Sequence, residues 1–199
     1  VFVFIGSIIT KLLNKEKKSE KRKLIQIISN VGVATFATIL FKVTANDLYL
    51  LIYAAVMAES LADTLASDIG ILSKKDPVNI LTWEKSQKGL SGNISLLGVI
   101  SSLIGASMIA LIYFIGIESS IRNSLAIIVS GVVGSLVDSF LGATIQVKYK
   151  CPKCNKITEK KRHCNGMTKY VRGVKWIDNN MVNLLSNLFI FLFLYITFR

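Results

Sequence analysis

Apolar residues in this chain come in long blocks, not at the period of an amphipathic helix or a half-buried strand. A block of roughly eighteen or more apolar residues is long enough to cross a bilayer core as a helix. Five such blocks run over Leu24–Phe41, Asp47–Asp68, Ile94–Ile117, Ile121–Gln146 and Met181–Phe198. A further apolar stretch, Val1–Leu13, is too short to span and has no basic residues in front of it. It reads as the tail end of a span in a chain whose true start lies upstream, not as a signal peptide. The pattern predicts an all-α fold: a polytopic transmembrane helix bundle of about six apolar segments, the first truncated. Residues 1–199 then form one transmembrane domain, with 147–180 as a small Cys/His insertion.

Charge fixes the orientation. The net charge of +12 would suggest a nucleic-acid partner, but its distribution argues against one. Lys11–Lys23 holds 7 basic residues, Lys74–Lys88 holds 4 and Lys148–Lys175 holds 10, which together make 21 of 24. The other three, Lys42, Arg122 and Arg199, fall on the opposite side if the spans alternate. That asymmetry places the long loops in the cytoplasm. The Lys-rich run Lys15–Lys23 reads as a solvated topology signal near anionic headgroups. With no organellar targeting segment in view, the plasma membrane of a prokaryote is the simplest location.

Acids inside spans are the first chemical suspects, because a carboxylate at a span centre costs about 2.5–3.5 kcal/mol on insertion scales. Glu59, Asp63 and Ser67 recur every four residues and form one stripe running toward the cytoplasmic end, where Asp68 also lies. A matching stripe, Ser130, Gly134, Asp138, Gly142 and Gln146, occupies a later span. Its small residues let another backbone approach, so Asp138 should face the bundle interior. Two such helices could hold Mg²⁺ through carboxylates, with water and phosphate oxygens filling the remaining positions. The blander alternative is that these acids cap helix ends or hydrogen-bond between spans. The small-residue stripes could equally serve contacts between chains, which leaves a homo-oligomer open.

Lys88-Gly89-Leu90-Ser91-Gly92-Asn93-Ile94-Ser95 leads directly into an apolar span. Glycines free a backbone to wrap an anion, and the following helix start offers unpaired N–H groups. Lys85 and Lys88 add charge. This has the layout of a phosphate cradle, though it is not a Walker A loop. All three cysteines and the only histidine fall in one loop, as Cys151, Cys154, His163 and Cys164. They can supply a structural Cys₃His zinc site; the alternative is reduced, unliganded cysteines. Asn179, Asn183 and Asn187 give the last span a polar face at its cytoplasmic end, and Trp176 reads as an interfacial anchor.

These blocks, in this order, resemble an integral membrane family catalogued as domain of unknown function 92, which includes plant phytyl-phosphate kinases. The matching pieces are Phe4–Lys11, Gln26–Asn30, Ala62–Gly70, Gly89–Ser95, Gly134–Gln146, the Cys/His loop and Asp178–Asn183. Family members often carry Glu where Asp68 stands, a second Gly where Asn93 stands and Asp where Asn180 stands. The resemblance implies a kinase that transfers the γ-phosphoryl of CTP, or another NTP, to an isoprenyl monophosphate such as phytyl or geranylgeranyl phosphate. The partners are then nucleotide, isoprenyl phosphate and membrane lipid. The expected roles are Mg²⁺ on Asp63 and Asp138 with Glu59 or Asp68 assisting. Lys88 and Gly89, Ser91, Gly92, Asn93 and Ser95 would cradle nucleotide phosphates, and Asn179 and Asn183 would orient a phosphate or the metal. A CDP-lipid-forming cytidylyltransferase would use the same parts. A cation- or proton-coupled transporter is the alternative of a different class.

Overall fold

The computed structural model describes residues 24–199; the Val1–Leu13 segment and the Lys15–Lys23 run lie outside them. Five helices are long and apolar enough to cross a membrane. They are α1 (Leu24–Thr44), α2 (Leu48–Gly70), α3 (Leu96–Gly116), α4 (Ile121–Thr144) and α5 (Asn179–Phe198). The count among described residues is therefore five rather than about six.

The helix starts follow local capping. Ser95 and Ser120 accept from the N–H groups of Gly98 and Asn123, and Asp178 accepts from Asn180 and Met181. Each satisfies orphan donors of a first turn. The Asp178 cap starts α5 at Asn179, two residues earlier than the apolar block implied. One expectation needs correction at a helix end. The fourth span does not reach Gln146, because α4 stops at Thr144 and the chain turns into extended structure. Val174 N–H donates to the Ile145 carbonyl at 2.8 Å, and Val147 N–H donates to that of Ile177 at 2.9 Å. Gln146 thus sits beyond the helix, with its side chain folded back beside Gly142.

Helix α2 is the centre of the bundle and packs against all four other helices. Its contacts rely on small residues. A Cβ on Gly131 would stand 2.6 Å from Ala106 Cβ and 3.2 Å from the Ala58 backbone, and one on Gly105 would stand 3.2 Å from Ala62. Close backbone approach of this kind drives helix association in lipid. Outward-facing side chains such as Leu96, Ile115, Ile121 and Ile196 are more than two-thirds exposed, as lipid-facing positions should be.

The connections α1–α2 and α3–α4 are tight, so both long connections emerge at the same end of the bundle. The first contains the antiparallel pair β1 (Val78–Asn79) and β2 (Asn93–Ile94). The second folds into a small β element. Strands β3 (Lys148–Lys150), β4 (Ile157–Thr158) and β7 (Lys169–Arg172) form a sheet in the order β4-β3-β7. A hairpin of β5 (Arg162–His163) and β6 (Gly166–Met167) projects from it.

Candidate functional site

A buried polar cluster crosses the bundle below the long-loop end. Glu59, in the middle of α2, is 1% exposed. Ser186 of α5 donates to its Oε1 at 2.7 Å, and Ser60 Oγ lies 3.2 Å from its Oε2. Ser60 in turn donates to the Asn30 carbonyl at 2.8 Å and accepts from Asn187 at 3.3 Å. Gly134 of α4 leaves room for the Glu59 side chain, which a Cβ there would strike. Three helices therefore hydrogen-bond around a mid-membrane acid, and a fourth makes room for it.

One turn closer to the loops stand the acids with chemical potential. Asp63 is half-buried on α2, and Asp138 is buried on α4. Asp138 lies close enough to feel the charges of Asp63, Glu59 and Glu159. At 1.5 Å per residue, Asp63 and Asp138 both sit about 9–11 Å below the loop ends of their helices. Asn183 of α5 reaches one of them: with its amide nitrogen turned to the carboxylate, it donates to Asp138 Oδ2 at 3.0 Å and to the Asn179 carbonyl at 2.8 Å. That orientation is assigned from the surrounding acceptors. Asp68, half-buried, lies near Asp63.

The glycine loop caps this end. Gly89 and Gly92 have φ of +75° and +88°, a region that side chains other than glycine rarely adopt. Gly92 presses against α4 so closely that a Cβ would come within 2.6 Å of Ala143. The loop is held by two side chains of the second connection. Glu159 Oε1 accepts from Ser91 N–H at 2.7 Å, and Lys148 Nζ donates to the Ser91 carbonyl at 2.6 Å. Lys148 is 1% exposed. Burial, reinforced by the nearby Arg172 cation and partly offset by Glu159, pulls its pKa down to about 8. Gln146 is buried beside Gly142 with its Oε1 unpartnered.

The expected residues meet at this end to different degrees. Asp63, Asp138, Asn179, Asn183, Ser91 and Gly92 cluster around it. Lys88 is drawn elsewhere: its Nζ donates to the Ser73 carbonyl at 2.5 Å. Asn93 braces the loop internally by donating to the Gln87 carbonyl at 2.8 Å, and Ser95 serves as the α3 cap. Asn30, Ser60, Ser186, Lys148 and Glu159 were not singled out as site residues from the sequence. For Asn30, Ser60 and Ser186 the signal was a polar residue inside an apolar block. For Lys148 it was a lysine immediately past a span. Glu159, in a charged loop, carried no signal.

At the far side of the β element, Cys151, Cys154, His163 and Cys164 bring four ligand atoms within 4.8 Å of one another. Among the described residues no other His, Cys, Asp and Glu side chains converge so tightly in a set of three or more. An apolar recess lined by Tyr53, Met57, Ile109, Ile112 and Tyr113 lies toward the opposite end of α2 and α3, away from the acids.

A helical bundle with paired acids beneath a basic, glycine-rich cap defines an integral membrane protein with a polar site at one face. Residues 1–191 match the family described as integral membrane protein DUF92, and the chain belongs to that family. Protein PGR of Arabidopsis thaliana is 33% identical over 135 residues, covering 62% of this chain and 46% of that protein. The uncharacterized membrane protein MJ0933 of Methanocaldococcus jannaschii is 29% identical over 151 residues, covering 74% of this chain and 63% of that protein. The matches thus span about half to two-thirds of the length of these relatives. No solved structure matches the chain.

Proposed function

We propose that this protein is a membrane phosphotransferase that moves the γ-phosphoryl of CTP, or another NTP, onto an isoprenyl monophosphate to give the diphosphate. The observation that carries the reading is the stacking of Asp63 and Asp138, at a common depth on two helices, beneath a glycine loop gripped by Lys148. Carboxylates on two neighbouring helices suit Mg²⁺, which takes one or two carboxylates and leaves its other positions to water and substrate phosphates. Bound there, Mg²⁺ would neutralise phosphate charge. The chain's own residues do the rest. Asp63 and Asp138 would hold the metal, Asn183 holds the Asp138 carboxylate, and the Ser91 and Gly92 backbone would face a phosphate. Lys148 supplies the positive charge at the loop. Glu159 occupies the Ser91 N–H and must leave it for a phosphate to bind there. The acceptor phosphate is already ionised, so positioning and charge neutralisation suffice without a strong base. Loops on the cytoplasmic side of a prokaryotic plasma membrane would meet the nucleotide there, while a greasy acceptor enters from lipid.

Glu59 favours a second reading. A mid-membrane acid solvated by Ser and Asn side chains from neighbouring helices also suits a cation- or proton-coupled transporter. The purified protein, given geranylgeranyl or phytyl monophosphate, Mg²⁺ and each labelled NTP in turn, separates the readings. Label from the γ position in a prenyl diphosphate supports the kinase. Label from the α position in the lipid points to a cytidylyltransferase. No transfer from any nucleotide, with uptake into liposomes instead, overturns both enzymes in favour of transport.

A further inference from the structure

The Cys/His group lies outside the membrane acids and has no part in the phosphotransfer just described. Two separate turns build it. Strands β3 and β4 are joined by Cys151–Lys156, closed by Cys151 N–H on the Lys156 carbonyl and Asn155 N–H on the Cys151 carbonyl, both at 2.9 Å. Asn155 takes φ of +57°, which reverses the chain after Cys154. The β5–β6 hairpin turns on Cys164 and Asn165, with φ of +49° and +55°. Positive φ at both centre positions defines the tight hairpin turn that asparagine and glycine favour. A cysteine in that conformation is unusual, and strained backbone of this kind persists where the surroundings over-determine it. Its consequence is that His163 and Cys164, adjacent in sequence, point to the same spot. His163 Nδ1 lies 3.2 Å from Cys164 Sγ and 3.5 Å from Cys154 Sγ. Cys151, fully buried, lies under the same point. A tetrahedral Zn²⁺ with bonds of about 2.0–2.3 Å sets ligand atoms roughly 3.5–3.8 Å apart, so these separations suit one ion.

We propose that Cys151, Cys154, His163 and Cys164 bind one structural Zn²⁺ through three thiolates and His163 Nδ1, and that this ion holds the β element as a clamp on the glycine loop. The clamp follows from connectivity. Glu159 lies between Cys154 and His163, so ligands on both sides fix the segment that presents its carboxylate to Ser91. A second contact, Gln87 Nε2 to the Ile157 carbonyl at 3.4 Å, joins the same two loops. Four protein ligands leave no open position, so the ion's role is to shape and not to react.

The test is independent of the phosphotransfer reading. Metal content of the purified protein is measured by elemental analysis in wild type, Cys154→Ser and Cys164→Ser, the last two being exposed positions. Hydrogen exchange is then followed across residues 86–95 before and after chelation. The expected result is one zinc per chain in wild type and at least a tenfold lower content in each variant. Chelation should speed exchange in the 86–95 loop at least tenfold, with α2 and α4 still protected. Should the variants fail to fold, cobalt substitution of wild type gives the same answer through thiolate-to-metal absorption. Zinc below a tenth of an equivalent, or a disulfide within the group, overturns the site. Stoichiometric zinc whose removal leaves loop exchange unchanged overturns the clamp.

Discussion

Replacing Gly92 with alanine should lift the glycine loop off α4, whereas the same change at Gly89 should leave it docked. Both residues have positive φ, so each alanine incurs a backbone cost of roughly 1–2 kcal/mol. They differ in what a Cβ would meet. At Gly89 the nearest atom is Ile71 Cδ1 at 3.8 Å, an ordinary contact, while at Gly92 it is the Ala143 backbone and Cβ at 2.6 Å. Neither helix backbone nor Ala143 can swing aside, so overpacking adds about 1–3 kcal/mol at Gly92 alone. If that difference falls on docking of the loop, the opening equilibrium of the 86–95 segment rises by roughly 5- to 150-fold relative to Gly89→Ala. Hydrogen exchange of the loop amides in detergent-purified protein measures it directly, with α2 amides as the internal control. Equal exchange in the two variants would refute the claim that the Gly92–Ala143 contact positions the loop.

Three further outcomes follow from the same geometry. Anion binding should weaken as pH rises through about 8, where the buried Lys148 loses its proton, and Lys148→Met should abolish that dependence in a nucleotide-binding titration. The sign for folding is opposite: burial disfavours charged Lys148, so this group's contribution to stability is lost as pH falls through 8 and is full only above 10.5. Glu159→Gln keeps an acceptor for Ser91 N–H but removes a charge that competes with phosphate, so nucleotide affinity should rise about 3- to 10-fold by calorimetry; a fall would mean that the carboxylate is part of the site. Ser186→Ala removes the 2.7 Å donor to Glu59 and should destabilise the bundle by about 1–3 kcal/mol in a reversible unfolding assay; no change would mean that the polar core is not structurally coupled.

Spans and acids were legible in sequence because both rest on strong local signals. Hydrophobic block length returned α1 to α5 within a few residues, and Asp63 and Asp138 stood out against apolar surroundings. What failed was information carried by distant chain. The end of α4 is decided by Val174 and Ile177 pairing beyond it, so Gln146 looked like a further helical turn. Lys88 looked like the loop's cation because it precedes Gly89. The fold instead directs it to Ser73 and brings Lys148 in from more than fifty residues away. Glu159 belongs to the same class: nothing near it in sequence marks the Ser91 N–H as its partner. The sequence already grouped Cys151, Cys154, His163 and Cys164, but the type of turn that aims His163 and Cys164 together emerged only from the backbone.

The central claim is that Asp63 and Asp138 serve phosphoryl transfer at the face closed by the glycine loop. It is tested most directly by γ-phosphoryl transfer to geranylgeranyl or phytyl monophosphate in wild type and in Asp63→Asn and Asp138→Asn, each shown to be folded. The account predicts labelled prenyl diphosphate from wild type and at least a hundredfold loss in either variant. Full activity in both variants, or none in a folded wild type with any nucleotide, would contradict it.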